Sequence, residues 1–229
     1  MKIDEIISSI KSQYNPANIK GMEKFGINIR NNCGCSIPFL KKLAKEVGKN
    51  HCLALQLWET EIHDARLLAG FIDKPGEVTE EQMEEWAGCF DSWDLCDQIC
   101  NYLFSYTSFA FKKSIEWINS DKEFIKRAGF VLMAQLSVHD KNAENEVFEH
   151  FLKLIYEKSD DNRNYVKKAV NWALRQIGKR SIFLNKSALE TAENILLKGD
   201  RASKWIARDA LRELKNEKVV SQLSAKNNK

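Results

Sequence analysis

Apolar residues recur at the spacing of amphipathic α-helices almost from end to end of the chain. The isoleucines of residues 3–10 fall on one helical face. The apolar positions of residues 39–47 do the same, and they follow Ser36 and Pro38, residue types that often begin helices. Short polar breaks separate such segments at 31–32, 73–76, 119–121, 159–162 and 198–200. Because no segment alternates apolar and polar residues as a strand would, the pattern predicts an all-α protein.

A repeat of about 40 residues underlies the second half of the pattern. The segment 124–128 (FIKRA) is echoed 41 residues later by 165–169 (YVKKA), and 40 residues after that by 205–209 (WIARD). Each begins with an aromatic residue and has a basic residue three positions later. Segments starting at His63 and Trp93 are interpreted as earlier, more diverged members. This period, with two helices per unit, predicts HEAT-like repeats. We therefore expect one domain over residues 1–229, an α-solenoid of about six helical pairs that forms a curved array with a concave basic groove.

The second helix of each repeat is predicted to face the concave wall of such an array. Charged residues recur on these helices: Arg66, Asp97, Arg127, Lys168, Arg175, Arg208 and Arg212. A curved wall of cations can follow a DNA backbone. Repeat proteins also use this wall to bind other proteins, so the pattern alone leaves both partners open.

Composition narrows the class of protein. Hydrophobic residues make up 44% of the chain, which is enough to form a core. The low numbers of proline (3) and glycine (10) argue against a turn-rich all-β fold. No apolar run reaches the roughly 18–20 residues that span a bilayer, and the N-terminal segment lacks the features of a signal peptide. We expect a cytoplasmic protein that does not bind membranes and acts as a monomer.

Charge is distributed unevenly. Residues 163–229 carry 16 Lys/Arg against 6 Asp/Glu, whereas residues 1–162 carry 19 against 26. A basic C-terminal part is the pattern that a polyanion binder needs, although a solvated lysine-rich face would give the same count.

Metal and nucleotide sites receive little support from the motifs. Cys33 and Cys35 lie near each other, with His51 and Cys52 further on, but this spacing is poor for zinc, and buried thiols are the favoured interpretation. The four histidines form no recognisable nucleophilic motif, and capping or solvated roles are expected for them. Phosphate-binding glycine loops are absent from the sequence, which disfavours an NTPase. We expect no cofactor.

The richest candidate chemistry lies in residues 91–98 (DSWDLCDQ). Trp93 and Asp97 are four residues apart, so on a helix they share a face. A lone tryptophan at such spacing is usually part of a core, but a carboxylate beside it is costly to bury unless it is paired or used. Trp172 and Arg175 lie three residues apart on another predicted second helix, and Arg127 lies on the one between.

These segments together resemble the AlkD-type DNA alkylation repair family of HEAT-like DNA glycosylases, over nearly the whole chain. Residues 22–26 and 36–45 resemble the first-repeat pattern of the family. Residues 93–97 (WDLCD), 126–128 (KRA) and 172–175 (WALR) resemble its W-D-x-x-D, R-R-x-A and W-x-L-R segments. Two positions differ from the family pattern: Ser92 replaces a tryptophan found in some members, and Lys126 replaces the first arginine of the R-R pair.

The resemblance implies a role for each matched residue. Asp97 would be the catalytic carboxylate, Trp93 and Trp172 would flank the damaged nucleotide, and Arg127 and Arg175 would hold phosphate. The other residues predicted to bind DNA are all basic: Lys126, Lys168, Arg208 and Arg212. The substrate implied is duplex DNA that contains N3- or N7-alkylated purines, excised by hydrolysis of the N-glycosidic bond in base excision repair.

The residue types suit that reaction. An alkylated purine already carries a positive charge and leaves readily, so the enzyme needs only to stabilise a cationic sugar and orient water, which a carboxylate can do. Indole faces also favour nearby cations, by roughly 0.5–2 kcal/mol per contact. Two other hypotheses remain open: a relative that binds damaged or branched DNA without excision, and a HEAT-repeat scaffold for another protein.

Overall fold

The computed structural model describes residues 1–227, and for residues 226 and 227 only the backbone. This part of the chain consists of α-helices, short loops and two 3-10 turns, and it contains no strand. The helices are α1 (Ile3–Ser12), α2 (Pro16–Lys24), α3 (Ile37–Val47), α4 (His51–Glu59), α5 (His63–Ile72), α6 (Glu80–Gly88), α7 (Trp93–Tyr102), α8 (Ala110–Trp117), α9 (Glu123–His139), α10 (Asn145–Glu157), α11 (Asn164–Gly178), α12 (Ile182–Lys198), α13 (Arg201–Leu214) and α14 (Glu217–Asn227). The 3-10 turns are Pro75–Glu77 and Phe104–Tyr106. The predicted all-α class is confirmed.

Local sequence signals place the helix ends where the pattern predicts them. Ser36 caps α3, because its hydroxyl oxygen accepts a hydrogen bond from the Phe39 amide at 3.3 Å. Helix α1 buries Ile6 and Ile10, two of the isoleucines on its predicted apolar face. The polar breaks lie at helix ends or in the loops between helices.

The first of two compact units, Met1–Phe109, arranges its helices in two rows. Helices α3, α5 and α7 form one row, because α5 packs against both α3 and α7. Helix α4 belongs to the other row and packs on α5. In the second row, the indole rings of Trp58 (α4) and Trp86 (α6) stack with centroids 3.9 Å apart, and both are buried. The first row therefore contains α7, which carries Trp93 and Asp97.

The second unit, Ala110–Lys229, repeats this arrangement. Helices α9, α11 and α13 pack side by side in chain order, and α10 and α12 form the other row. Helix α8 approaches α9 so closely that a Cβ on Gly129 would lie 2.9 Å from the Ile118 backbone nitrogen. The echoed segments starting at Phe124, Tyr165 and Trp205 lie near the starts of α9, α11 and α13. The predicted period thus corresponds to one helical pair.

The single domain over residues 1–229 and its concave groove remain predictions, and residues 228–229 of that range lie outside the described residues. Among the described helices, none is both long and apolar enough to cross a bilayer.

Candidate nucleic-acid interface

Trp93 is the first residue of α7, and the turn that ends α2 holds its indole. The Trp93 Nε1–H donates to the Phe25 carbonyl oxygen at 2.9 Å. Helix α2 ends in a Schellman motif, whose left-handed position is filled by Gly26 at φ 75°. A side chain at that φ would be strained, so glycine is the residue that sets this turn and aims the Phe25 carbonyl. The Phe25 ring itself is 73% exposed.

A second contact ties the same loop to the segment before α7. The Asn28 side-chain amide donates to Asp91 Oδ2 at 2.6 Å. With the Phe25 contact, it fixes the start of α7 against the loop after α2.

A buried ion pair is the third contact that orients α7. His63, at the start of α5, lies 2.9 Å from Asp94 through Nε2 and Oδ2. Burial alone would lower the pKa of His63, but the hydrogen bond and charge of Asp94 outweigh it and raise that pKa. Burial likewise opposes ionisation of Asp94, and the His63 contact outweighs it, so the pKa of Asp94 is lowered. Asp94 lies in the first turn of α7, and its side chain pairs with His63 of α5.

Asp97 follows Trp93 by one helical turn and is half-buried, as is Trp93. The predicted shared face of α7 therefore carries an indole and a carboxylate that are both partly accessible. Asp94, on the neighbouring face, is buried. The structure thus gives the two carboxylates of the motif different surroundings.

The residues weighed as a zinc site have a different role. The backbone amides of Cys33 and Cys35 donate to the two carboxylate oxygens of Asp64, at 2.6 and 2.8 Å. Burial, followed by the charge of Asp64, raises the pKa of the Cys35 thiol, which disfavours the thiolate that metal binding needs. Among the described residues, no three His, Cys, Asp or Glu side chains are grouped to hold a metal ion.

In the second unit, Arg127, which the family resemblance implies as a phosphate-binding residue, is buried. Its side chain is buried in α9, and Nη1 donates to the Tyr165 carbonyl of α11 at 2.6 Å. A buried guanidinium needs such an acceptor, because an unsatisfied charge is costly inside a protein. Arg127 therefore links two adjacent helices of one row in this structure.

Lys126 is also engaged within the unit. Its ammonium lies 3.2 Å from Asp161, and Asp161 also binds the Arg163 guanidinium at 2.6 Å. Burial raises the pKa of Asp161, but the hydrogen bonds from Arg163 and Lys126 outweigh it and lower the pKa to about 2. The Lys126 side chain is only 14% exposed, which limits its reach toward a ligand.

Helix α11 presents a polar face with helical spacing. Lys168 is exposed, Trp172 is half-buried, and Arg175 follows on the same side. Arg175 pairs with Glu213 and lies 3.7 Å from Asp209, both on α13. These acidic partners balance part of the Arg175 charge and join α11 to α13.

Helix α13 adds two exposed cations to those of α11. Arg208 is exposed, and the Arg212 side chain is 81% exposed although it pairs with Asp209. Trp205, on the same side, is 40% exposed. Lys168, Trp172, Arg175, Arg208 and Arg212, all predicted from sequence, form what we call the α11–α13 surface. Trp205 borders this surface.

Comparison with known proteins identifies the family. The family model described as "DNA alkylation repair enzyme" matches residues 6–214. The chain belongs to this family.

Two bacterial proteins and one solved structure are also similar to this chain. The "Uncharacterized protein Lin0241" of Listeria innocua and the "Uncharacterized protein Lmo0209" of Listeria monocytogenes are each 24% identical over 196 residues, which is 84% of this chain and 85% of the relative. A solved structure described as "A new family of proteins related to the HEAT-like repeat DNA glycosylases with affinity for branched DNA structures" matches with a TM-score of 0.74. The two sequences are 20% identical, and the match covers 85% of this chain and 83% of the chain in that structure. The predicted HEAT-like fold is therefore confirmed.

Three residues of this family member were not predicted as part of a site. His63 orients α7 through Asp94, and Phe25 anchors Trp93. Trp205 is an exposed ring among cations. The sequence could have indicated it, because Trp205 is the aromatic residue that begins the third echoed segment, 205–209. The contacts of His63 and Phe25 join residues 31 and 68 positions apart, which no local pattern reveals.

Proposed function

We propose that this protein is a DNA glycosylase that excises cationic N3- and N7-alkylated purines from duplex DNA in base excision repair. The observation that carries the proposal is the pair on α7, in which Trp93 and Asp97 share a partly accessible face while Asp94 is sequestered with His63. Membership of the DNA alkylation repair enzyme family supports it.

Asp97 would act on the sugar. When the alkylated base departs with its electron pair, the deoxyribose becomes oxocarbenium-like, and a nearby carboxylate stabilises that charge. Water then adds to the anomeric carbon and loses a proton. The base is already cationic, so it leaves without protonation by a general acid. Trp93 would offer its indole face to the cationic nucleotide.

Phosphate binding would rest on the α11–α13 surface. Lys168 and Arg208 are exposed and suited to direct contact with the DNA backbone. Arg175 and Arg212 already have acidic partners, so they would contribute charge to a network. Arg127 and Lys126 would support the helix row. Trp172 would flank the damaged nucleotide.

A second candidate function is binding of branched DNA without excision. It is favoured by the structural neighbour, whose description names affinity for branched DNA. Both functions need the basic surface, but only the first needs the carboxylate of Asp97.

A single experiment distinguishes the two functions. The protein is incubated with a duplex that contains one 7-methylguanine, and released base is measured by mass spectrometry against a protein-free control, because this base is also lost spontaneously. In parallel, fluorescence anisotropy compares a four-way junction with a linear duplex of equal length. Release above the control supports the glycosylase. Junction binding without release would overturn it in favour of the second function.

A further inference from the structure

The exposed side of α13 carries an aromatic ring surrounded by cations. Trp205 is 40% exposed and lines an open cavity of about 620 Å³. The other lining residues are Arg201, Lys204, Arg208, Asp209 and Arg212. Four of these five are basic, so the ring lies in a positive surrounding.

Trp205 differs from the aromatic residues at the two equivalent repeat positions. Phe124 and Tyr165 pack against each other with ring centroids 5.4 Å apart. At Trp205, the Lys167 ammonium of α11 lies 5.6 Å from the ring centroid. The aromatic residue at this repeat position therefore packs between helices in the first two segments, but in the third it is accessible and has a cation beside it.

An accessible indole among cations has the chemistry of a single-strand binding site. Proteins that bind single-stranded DNA combine a basic groove for the phosphates with aromatic rings on which bases stack. In a continuous duplex, both faces of each base are already covered by neighbouring bases. Away from the ends of a duplex, a surface ring can therefore stack only on an unpaired base, as in a single-stranded tail or flap.

We propose that Trp205 stacks on an unpaired nucleobase of DNA, while Arg201 and Arg208 hold the phosphates beside it. The occupant is single-stranded DNA continuous with a duplex that binds the rest of the α11–α13 surface. The proposal rests on the proposed DNA binding and adds to it a contact that does not depend on base damage.

A matched control lies in the same unit. Tyr156 on α10 is also 40% exposed, and the Lys198 ammonium lies 4.5 Å from its ring centroid. Its cavity, however, is lined by Glu149, Glu157 and Glu190, with Lys153 as the basic residue. The two rings have similar exposure and a lysine each, but the surroundings of Tyr156 are acidic and would repel phosphate.

The test compares the dissociation constants of two DNAs at one salt concentration. One is a blunt duplex, and the other is the same duplex with a single-stranded tail. The tail has about ten nucleotides, a length within the range that single-strand binding sites occupy. Trp205→Ala is expected to weaken binding to the tailed DNA by roughly 5- to 150-fold, the effect of losing one stacked base. Binding to the blunt duplex should change less than about twofold, since phosphate contacts dominate it. Trp205→Phe should retain most of the affinity, and Tyr156→Ala should leave both constants unchanged.

A second readout reports stacking itself. 2-Aminopurine placed in the tail should lose fluorescence on binding to the wild-type protein and to Trp205→Phe, but not to Trp205→Ala. Equal weakening of both DNAs by Trp205→Ala, or unchanged tail binding and quenching, would overturn the stacking proposal while leaving DNA binding intact. Failure of the wild-type protein to bind either DNA would overturn the proposed function and this inference together.

Discussion

At the scale of single residues, Asp94 and Asp97 are chemically identical side chains with different surroundings. Asp97 is half-buried beside Trp93, and Asp94 is paired with His63. Asp97→Asn keeps the shape but removes the charge that would stabilise the cationic sugar. We expect excision of 7-methylguanine, measured under single-turnover conditions, to fall by about 10²–10³, as for loss of one preorganised electrostatic group. DNA affinity should stay equal or rise slightly, because an anion is removed.

Asp94→Asn is the internal control for that prediction. It removes the charged partner of buried His63, so it should lower the thermal unfolding temperature and reduce excision by the folded protein much less than Asp97→Asn does. A large and equal loss of excision in both variants would show that the catalytic carboxylate is assigned wrongly. Full activity in Asp97→Asn would rule out the mechanism.

The His63–Asp94 pair also predicts a pH dependence of stability. The raised pKa of His63 contributes stability that is fully present below about pH 6.5, its ordinary pKa, and is lost as the pH rises through the folded value. The lowered pKa of Asp94 contributes stability that is present above about pH 3.9 and is lost as the pH falls through the folded value. The pair is therefore most stabilising between these limits.

His63→Gln tests this dependence because it removes the titration and keeps a polar side chain. The free energy of unfolding, from urea titrations between pH 6 and pH 9, should fall more steeply with rising pH in the wild-type protein than in the variant. His139 titrates in both proteins and cancels in the difference. Parallel curves would contradict the role given to the pair.

At the scale of helices, Gly129 sets how closely α8 and α9 can approach. A Cβ there would meet the Ile118 backbone nitrogen at 2.9 Å and the Ser114 carbonyl oxygen at 3.1 Å. Backbone atoms cannot move aside as a flexible side chain can. Gly129→Ala is expected to destabilise the protein by about 1–3 kcal/mol, because one extra carbon overpacks the contact. In a chain of this length, calorimetry should show a melting temperature lower by roughly 2–12 °C.

Gly21→Ala makes the same change where there is room for it. Gly21 lies inside α2, and an added Cβ there meets no atom within 4 Å. Alanine should stabilise this helix by about 0.5–1 kcal/mol, since it restricts the unfolded chain. A destabilised Gly21→Ala, or a Gly129→Ala that melts at the wild-type temperature, would show that contact geometry does not govern these sites.

At the scale of the whole molecule, the C-terminal excess of basic residues predicts salt-dependent binding to any duplex sequence. Lys168 and Arg208 are the predicted cations to test, because both are exposed. Reversing the charge of Arg175 would instead place an anion against Glu213 and Asp209 and disturb the helix row. The double variant Lys168→Gln/Arg208→Gln should bind all duplexes more weakly. Its plot of log affinity against log salt should be shallower by about 1.8, for two lost phosphate contacts.

The matched control is Lys153→Gln/Lys186→Gln. These lysines are exposed on α10 and α12, in the other helical row of the same unit, and their loss changes the net charge equally. The slope of the control should equal that of the wild-type protein. If both double variants reduced the slope alike, net charge rather than the α11–α13 surface would account for binding.

Periodicity determined most of the fold, because a helix must bury one face and its apolar residues recur every three to four positions. The 40-residue echo likewise located α9, α11 and α13, since each repeat is a helical pair that stacks on its neighbours. The same echo could not predict which of its basic residues are exposed. Arg127, Lys168 and Arg208 each follow an aromatic residue by three positions, but Arg127 is buried and the other two are exposed.

The sequence by itself determined that this chain is helical, repetitive, basic toward its C-terminal end and equipped with the motifs of its family. Those properties follow from local spacing and composition, which do not depend on what a side chain meets in the folded protein. Tertiary structure alone decided that Asp94 pairs with His63, that Phe25 holds Trp93, and that Arg127 reaches the Tyr165 carbonyl. Each of these contacts joins residues at least 31 positions apart. Such contacts depend on which helix lies next to which, and packing of the whole unit sets that arrangement.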